Sequence, residues 1–389
     1  MTSIPGDNSV DSEVSSRIID STGSVGSFRV HATVVDLAKP VGLFQRTQDD
    51  LRERLVGMAD APYRADQILR WVYETGVSSY EQMTNLSKAL RARLTDELPL
   101  YESQIVQRHE SNDGTTKLLL RWSDGATSEC VLIPDGSRRT ACISTQVGCP
   151  VGCVFCASGL NGLERQLSAG QIVEQAMRVR QLCGAERLSN IVFMGLGEPL
   201  ANYANTLHAA RTINAEWGMA IGARKITIST VGLPNQMKRL AEEGLQLTLA
   251  LSLHAPNDEL RKQIIPWAER VTIDELVEAA NHYFARTGRE ITLEYILLGG
   301  LNDDLRHADE LVGVARRMRS NVNLIAYNPV RGLPYERPSE AAVVKFHEVL
   351  RRHGVNTHVR RSRGLDIDAA CGQLRRREAK NNTAGISSV

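Results

Sequence analysis

Three cysteines lie within eight residues of the sequence, at Cys149, Cys153 and Cys156, directly after a short β-rich run. Three thiolates at this spacing suit one metal centre. Structural zinc sites normally use four protein ligands, commonly in two separated pairs, and the sequence has no such second pair. A four-iron cluster held by three cysteines leaves one iron open to an exogenous ligand. The spacing therefore favours an iron–sulfur cluster over zinc or over unligated core thiols.

The other four cysteines are Cys130, Cys142, Cys183 and Cys371. The total of seven is odd, and the first five residues lack the basic start and apolar core of a signal peptide. We therefore expect a cytoplasmic protein with metal-binding or reactive thiols rather than a disulfide framework. Cys183 lies on the apolar face of a predicted helix, and we interpret it and Cys130 as core residues. Buried bystander thiols are the simplest interpretation of Cys142 and Cys371 as well.

Composition limits the classes of protein and partner. An apolar share of 42% in 389 residues is typical of a globular protein and excludes a fibre or disorder throughout. The longest uncharged apolar run, 245–256, is too short to span a bilayer, so we expect no membrane association. The formal charge is only +1, so any polyanion must be held by local patches.

Three basic runs could form such patches. Residues 351–363 contain five Arg and two His without an acidic residue, and Arg138, Arg139 and the run 375–377 are also basic. These residues could neutralise the phosphates of an RNA. An exposed, solvated helix face is an equal interpretation of any single run.

The sequence divides into five segments that must position these residues. Residues 1–40 are rich in Ser and Gly without apolar periodicity, which predicts a disordered leader. Residues 41–100 have apolar residues at helical spacing and predict a small helical accessory domain. Alternating apolar runs separated by Ser-Asp-Gly predict a β-hairpin linker over 101–140. An α/β domain over 141–374 and a tail over 375–389 complete the chain.

The α/β domain alternates short β-rich runs with helical stretches. Six strands are predicted, over 141–146, 190–194, 225–229, 246–253, 291–297 and 322–326. Ser168 and Gln171 form a capping box at the start of a helix predicted over 168–183. This alternation predicts a parallel sheet, either doubly wound or a partial barrel, with ligands at the carboxyl ends of the strands.

The C-x3-C-x2-C spacing resembles the signature of the radical S-adenosylmethionine (SAM) enzymes, in which SAM chelates the open iron. Over residues 43–376 the chain resembles the RlmN family of rRNA and tRNA adenine-C2 methyltransferases. The matching segments are SECVLIP at 128–134, QVGC at 146–149, MGLGEPL at 194–200, SLHAPNDELR at 252–261, YNP at 327–329 and RGLDIDAACGQL at 363–374. The resemblance implies a partial (β/α)6 barrel with a small N-terminal helical domain and a connecting hairpin, and one [4Fe-4S] cluster on the three clustered cysteines.

Several residues at predicted strand ends match the SAM site of the family. They are Gly197, Glu198, Ser229, Ser252, Leu253, His254 and Asn328. Glycines at the end of a strand allow a ligand to lie against the backbone, and Glu198 could accept a hydrogen bond from the SAM ammonium. Without the resemblance, Gly-Leu-Gly would indicate a tight turn, and His254 would be interpreted as a hydrogen-bonded structural histidine.

C2 of adenine is electrophilic, so ordinary nucleophilic methylation from SAM cannot work there, whereas a carbon radical can add to it. The resemblance implies that Cys371 is first methylated by one SAM and that a second SAM activates this methyl group by taking a hydrogen from it. It further implies that Glu129 accepts the C2 proton and that Cys142 resolves the covalent adduct by forming a transient disulfide with Cys371. Met194 matches a family methionine close to this chemistry, and a core methionine is an equal interpretation.

The resemblance implies 23S rRNA and tRNA as substrates, at an adenosine of the peptidyl-transferase region and at the adenosine beside the anticodon. It also implies an electron donor such as flavodoxin or ferredoxin, and we expect a monomer. Two alternatives stay open. One is the relative that methylates C8 of adenine and confers antibiotic resistance, and the other is an iron–sulfur RNA-binding or ribosome-assembly factor without catalysis.

Overall fold

Helices precede a large mixed sheet in the computed structural model, which describes residues 41–374. The predicted disordered leader over 1–40 and the predicted tail over 375–389, with its basic run 375–377, lie outside the described residues.

The N-terminal region is helical. Its elements are a 3-10 turn (Leu43–Gln45), α1 (Gln48–Gly57), α2 (Arg64–Leu69) and α3 (Lys88–Glu97). α2 continues as a π-helical turn, Arg70–Thr75, which stops at Gly76, where φ is +77 and a side chain would be strained. Ile68 and Leu94, two of the apolar residues whose spacing predicted these helices, are buried in one core. The predicted N-terminal helical region is confirmed.

Ten of the described strands form one sheet. The strands are β1 (Gln104–Glu110), β2 (Thr116–Arg121), β3 (Thr127–Asp135), β4 (Arg138–Cys142), β5 (Gln146–Gly148), β6 (Leu163–Gln166), β7 (Asn190–Phe193), β8 (Ile226–Thr230), β9 (Thr248–Ser252), β10 (Ile291–Leu297), β11 (Ser320–Ala326) and β12 (Thr357–Arg360). β5 pairs with β6 alone, and the others follow the order β1-β2-β3-β4-β7-β8-β9-β10-β11-β12. Pairing is antiparallel from β1 to β4 and parallel from β4 to β12.

Helices occupy the connections between the parallel strands. They are α4 (Ala169–Leu182), α5 (Tyr203–Asn214), α6 (Pro234–Ala241), α7 (Asp258–Ile264), α8 (Ile273–Thr287), α9 (Leu305–Ala315) and α10 (Glu340–Arg352). The predicted capping box begins α4, because the Ser168 hydroxyl accepts from the Gln171 N–H and the Gln171 side chain accepts from the Ser168 N–H. Such helical crossovers join parallel strands, as the alternation predicted. None of the helices within residues 41–374 is long and apolar enough to span a bilayer.

The six predicted strands correspond to β4 and to β7 through β11, and the α/β fold is confirmed. The strand predicted over 141–146 is wrong at both ends, because β4 begins at Arg138 and ends at Cys142. Beyond Cys142, the Ser144 N–H donates to the side chain of Gln175 on α4, and the Ser144 hydroxyl donates to the Glu129 carbonyl. Side chains therefore take the place of the strand ladder at Ser144, although the Ile143 N–H still donates to the Val192 carbonyl.

Two features at the sides of the sheet differ from the expectation. The predicted hairpin is formed by β2 and β3, and its strands continue the same sheet as the parallel strands. The basic run 351–363 spans the end of α10, a turn and the edge strand β12, so it is not one solvated helix face. β12 escaped prediction because it is short, lies at the edge and has mostly polar residues.

Candidate active site

A cavity opens at the carboxyl ends of the parallel strands. Its polar and sulfur-bearing lining residues are Cys149, Cys153, Cys156, Ser158, Met194, Glu198, Ser229, Thr230, Ser252, His254, Glu294, Arg360 and Cys371. Each strand from β7 to β12 contributes a residue at or near its end, which is where ligands gather in parallel sheets. Most of the predicted site residues therefore meet in one place.

The loop between β5 and β6 carries the three clustered cysteines to the cavity. Phe155 in this loop is buried in a separate apolar cluster, and the Val154 N–H donates to the carbonyl of Ile264 at the end of α7 (3.1 Å). Burial raises the pKa of the Cys149 thiol to about 12 and also raises that of Cys153. The thiols are therefore neutral without a ligand, and binding of a metal would displace their protons.

These three thiols fit an iron–sulfur cluster. They are soft donors in a largely buried, apolar pocket, and they share it with Glu198 and with one further thiol, Cys371. Among the described residues, no three His, Cys, Asp or Glu side chains converge as ligands of a single ion. A cluster does not require such convergence, because each cysteine binds a different iron.

The turn after β7 places Gly197 and Glu198 against the cavity. Gly197 has a φ of +106, and a methyl group there would lie 2.6 Å from Cβ of Gln146. The Glu198 carboxylate accepts hydrogen bonds from the N–H groups of Leu200 (2.9 Å) and Val231 (2.8 Å). Burial nevertheless raises the pKa of Glu198 to about 7. The segment is thus both a tight turn and an acidic wall of the cavity.

Gly197→Ala should damage this wall. The added methyl group combines a strained φ with a contact closer than van der Waals distance, so we expect a loss of stability of roughly 1–3 kcal/mol. SAM binding to the anaerobically reconstituted protein should weaken about tenfold, which corresponds to about 1.4 kcal/mol. Thermal unfolding and equilibrium SAM binding measure the two effects. Gly57→Ala is the matched control, since its methyl group meets no atom within 4 Å; an equal response of both variants would contradict this prediction.

The other residues predicted to bind SAM differ in their placement. Ser229 and Ser252, on neighbouring strands, line the cavity with their hydroxyls 3.4 Å apart. The side chain of Leu253 is instead fully buried in the main core and does not line the cavity. Asn328 lies beside the cavity lining, where its side-chain amide donates to the carbonyl of Cys371 (3.1 Å).

His254 has a structural role in addition to lining the cavity. Its φ is +57, in the left-handed region, and its Nδ1 accepts a hydrogen bond from the Ile296 N–H (3.1 Å). Burial, and then the charge of Arg261, lower the pKa of His254 to about 3. The imidazole is therefore neutral, as an acceptor at Nδ1 must be. This geometry agrees with the interpretation of His254 as a hydrogen-bonded structural histidine.

The depressed pKa of His254 predicts acid sensitivity. The unfolded chain binds a proton here near pH 6.5, whereas the folded chain does so only near pH 3. The stability that this neutral group contributes is therefore present above pH 6.5 and is lost as pH falls, by about 2 kcal/mol between pH 7.5 and pH 5. His254→Asn keeps an acceptor and tolerates a positive φ. Urea unfolding at both pH values should show a smaller acid loss in this variant; an unchanged loss would contradict the assignment.

Cys371 is tied directly to the loop of the clustered cysteines. The carbonyl of Gly372, which follows it, accepts from the N–H of Ala157, which follows Cys156 (2.8 Å). The Ser158 hydroxyl also donates to the carbonyl of Leu374 (2.8 Å). These bonds hold the thiol of Cys371 in the wall of the cavity.

Cys142 and Cys371 are brought together although they are far apart in sequence. Cys142 ends β4 and packs in an apolar cluster with Ala369 and Leu374, on either side of Cys371. Burial raises the pKa of Cys142 to about 12, with a smaller rise from the charge of Cys371, and Arg360 opposes the rise. The two thiols are therefore close enough to interact electrostatically. Cys130 and Cys183 are buried in the main core.

Glu129 and Met194 occupy different environments. Glu129 is buried on β3, outside the cavity lining, and its carboxylate lies 3.2 Å from the ammonium of Lys117. Met194 lines the cavity, and its sulfur accepts a contact from the Arg360 guanidinium (3.7 Å).

Arg360 is the residue that sequence reasoning placed wrongly. It was counted with the basic run for RNA phosphates, but its guanidinium faces the cavity, 3.6 Å from the carboxylate of Glu294. The charge of Cys371 first, then Glu294 and Cys142, raise the pKa of Arg360 against the effect of burial. Because Arg360 ends a parallel strand, the sequence could have indicated its place at the cavity. That inference would have required β12 to be predicted as a strand. Glu294 was missed for a similar reason, because it lies within an apolar strand.

Several of the other basic residues pair with acids. Arg138 and Arg363 both contact Asp135 (2.7 and 3.0 Å), and Arg139 contacts Glu186. The predicted phosphate-binding patches are therefore partly neutralised on the described surface.

Comparison with known proteins decides the family. Residues 41–99 match the model of the ribosomal RNA large subunit methyltransferase N-terminal domain, and residues 143–312 match the radical SAM superfamily. A probable dual-specificity RNA methyltransferase RlmN of Rhodopirellula baltica is 47% identical over 329 residues, covering 84% of this chain and 89% of the relative. The chain belongs to the RlmN family. The RlmN homologue of Gloeobacter violaceus is 44% identical and covers 89% of this chain and 98% of its own length.

A solved structure agrees with this RlmN assignment. The crystal structure of a radical SAM methyltransferase from Sphaerobacter thermophilus superimposes with a TM-score of 0.84 at 44% identity, covering 86% of this chain and 99% of the other. The resemblance inferred from the motifs and the predicted fold class are therefore confirmed.

Proposed function

We propose that this RlmN-family protein methylates C2 of an adenosine in the peptidyl-transferase region of 23S rRNA and of the adenosine beside the anticodon in some tRNAs. The observation that carries the proposal is the position of Cys371. Its thiol shares one cavity with the three clustered cysteines, and Cys142 packs against Ala369 and Leu374 on either side of it, as a relay through a cysteine requires. Membership of the RlmN family supports the same reaction.

In this proposal Cys149, Cys153 and Cys156 hold one [4Fe-4S] cluster, and SAM lies against Gly197, Glu198 and the strand ends that carry Ser229, Ser252 and His254. The cluster and SAM supply the methyl group and the one-electron chemistry that activates it. Glu198 has two backbone donors on its carboxylate and a pKa near 7, so an ammonium group at its side would favour the ionised form. Asn328 acts through the carbonyl of Cys371.

The residues of the chain carry the methyl group to RNA. Cys371 accepts it as an S-methyl group and, after activation, forms a bond between that carbon and C2 of adenine. The adduct returns the one electron that was supplied for activation, and Glu129 accepts the C2 proton. Cys142 then attacks the sulfur of Cys371: the S–S bond forms as the S–C bond breaks, and the released carbon keeps the electron pair and takes a proton to become the methyl group on C2. A thiol reductant must then reduce the disulfide. Met194 contacts Arg360 beside these groups.

The RNA must present the adenine inside the cavity, so we propose that the base is extruded from its stack. The helical region over 41–100 and the exposed parts of the basic runs hold the RNA, and a flavodoxin- or ferredoxin-like protein supplies the electron. The protein acts as a monomer. We also propose that the domains divide at residues 100 and 140.

The stoichiometry of SAM consumption tests the proposal. Each methylated adenosine should be accompanied by one S-adenosylhomocysteine and one 5′-deoxyadenosine, because one SAM methylates Cys371 and another activates the methyl group. The holoenzyme, an electron donor, RNA and SAM are incubated anaerobically and the three products are quantified. A noncatalytic assembly factor would form none of them, and methylation without 5′-deoxyadenosine would contradict the mechanism.

The cluster assignment has its own test. Anaerobic reconstitution with iron and sulfide should give a brown, oxygen-sensitive protein with about four irons per chain, as a single cubane contains. The Cys149/Cys153/Cys156 triple Ala variant should stay colourless, whereas Cys183→Ala should load like the wild type. Colour that persists in the triple variant would contradict the ligand set.

A further inference from the structure

Lys117 is a buried lysine beside the Cys371 segment, and none of the roles described above uses it. Its side chain is only 2% exposed. The ammonium lies 3.2 Å from the Glu129 carboxylate and donates a hydrogen bond to the carbonyl of Asp368 (2.8 Å). A buried charge persists only where partners compensate for the lost hydration, and both contacts contribute to that compensation.

The strand register places Lys117, Glu129 and Cys142 on one face of the sheet. Lys117 on β2 lies opposite Val131 on β3, and Val131 lies opposite Cys142 on β4. Residues opposite each other in neighbouring strands share a face, and Glu129 shares it with Val131 because side chains alternate along a strand. Val131 and Cys142 pack against Ala369 and Leu374. The Cys371 segment therefore covers this face.

Other bonds fix the start of the Cys371 segment. In the turn between β1 and β2, the Asp113 carboxylate accepts a hydrogen bond from the Gly364 N–H (3.0 Å). The Ser111 hydroxyl in the same turn donates one to the Asp366 carboxylate (2.6 Å). Lys117 adds a bond at Asp368, where φ is +51, three residues before Cys371. One ammonium group thus touches both the proposed proton acceptor and the backbone that leads to the methyl-carrying thiol.

We propose that Lys117 is a positioning residue for the proton-transfer step. Its ammonium pairs with the Glu129 carboxylate and holds it in register with the segment that carries Cys371. The inference rests on the proposed function, because it assumes that Glu129 takes the C2 proton. In that step the C–H bond at C2 breaks, its electron pair stays on the base, and the proton moves to the carboxylate. The step needs a carboxylate held at the reacting carbon, and Lys117 compensates for the burial of that charge.

Lys117→Met removes the charge and keeps the length of the side chain. The expected result is a fall in released methylated RNA of about 100-fold or more, the effect of losing a positioned general base. A covalent enzyme–RNA complex should accumulate, because the adduct forms but keeps its proton. Methyl-Cys371 should still be found by peptide mass spectrometry. Lys117→Arg, which keeps the positive charge, should release at least about tenfold more product than Lys117→Met. Denaturing gels measure the complex and nucleoside mass spectrometry the product.

A double variant separates positioning from folding. Lys117→Met combined with Glu129→Gln removes both buried charges together, which folded proteins tolerate better than removal of one. Its product release should equal that of Glu129→Gln alone, because Lys117 has no carboxylate left to position. Lys238→Met, which breaks an exposed ion pair with Glu278, is the control and should behave as wild type.

Three results would overturn the role of Lys117. The first is normal turnover by Lys117→Met, and the second is loss of methylated RNA in that variant without a covalent complex. The third is a double variant whose fold-decrease in methylated RNA equals the two single fold-decreases multiplied together. If Lys117→Met does not fold, the comparison of the double variant with Glu129→Gln decides alone. Absence of product from the wild-type enzyme in the same assay would instead refute the proposed function.

Discussion

Cys371→Ala is expected to abolish RNA methylation. Among the described residues, the only thiols in the cavity lining are Cys371 and the three clustered cysteines, so no other thiol could carry the methyl group without giving up its place at the cluster. A direct transfer from SAM cannot replace it, because C2 of adenine is not a nucleophile. Transfer of labelled methyl groups from SAM to RNA should fall to background. Peptide mass spectrometry should find a methylated segment 363–374 in the wild type.

The loss should not come from unfolding. Cys371 is partly exposed, and its segment is held by backbone and side-chain hydrogen bonds that alanine leaves in place. Thermal unfolding of Cys371→Ala should therefore match that of the wild type. Cys183→Ala, a thiol buried in the main core, should keep full activity as a matched control. Methylated RNA from Cys371→Ala at the wild-type rate would contradict the cysteine relay.

Cys142→Ala is expected to stop the reaction one step later, with RNA bound covalently to the enzyme. The variant can still methylate Cys371 and form the bond to adenine, but it lacks the thiol that attacks the sulfur of Cys371. The described chain offers no equivalent neighbour, since Cys130 and Cys183 lie in the main core. A denaturing gel should contain a protein–RNA band, and digestion of that band with ribonuclease and then a protease should give a peptide from 363–374 with an adenosine nucleotide attached.

Two controls identify this band. Cys142→Ala combined with Cys371→Ala should give none, because the attachment point is gone. Wild-type protein should give little, and should instead contain a disulfide between the two thiols when reductant is omitted. Cys142 is buried, so its truncation should cost about 1 kcal/mol of stability and leave the fold intact. Multiple turnover by Cys142→Ala would contradict its resolving role.

Local signals account for the parts of the fold that the sequence predicts well. β10 occurs over the predicted 291–297 because the segment is rich in apolar and β-branched residues and is almost entirely buried. The helix predicted from Ser168 begins there because capping is decided by residues three positions apart. The cluster motif was equally local, since its three cysteines lie on one loop.

Tertiary partners decide what the sequence does not predict. β12 and Arg360 depend on pairing with β11 and on the charges of Glu294 and Cys371, which come from other parts of the chain. The position of Lys117 beside Glu129 depends on the register of β2 against β3. Leu253 was expected at the SAM site because its neighbours are there, but strand alternation turns its side chain into the core.

Nucleoside mass spectrometry of RNA from cells with and without this gene tests the central claim most directly. Digests of 23S rRNA and of purified tRNA should contain 2-methyladenosine when the gene is present, and this nucleoside should disappear from 23S rRNA when it is deleted. Reintroduction of the wild-type gene should restore it, and a Cys371→Ala gene should not. Finding 8-methyladenosine alone, or 2-methyladenosine unchanged by the deletion, would contradict the assignment.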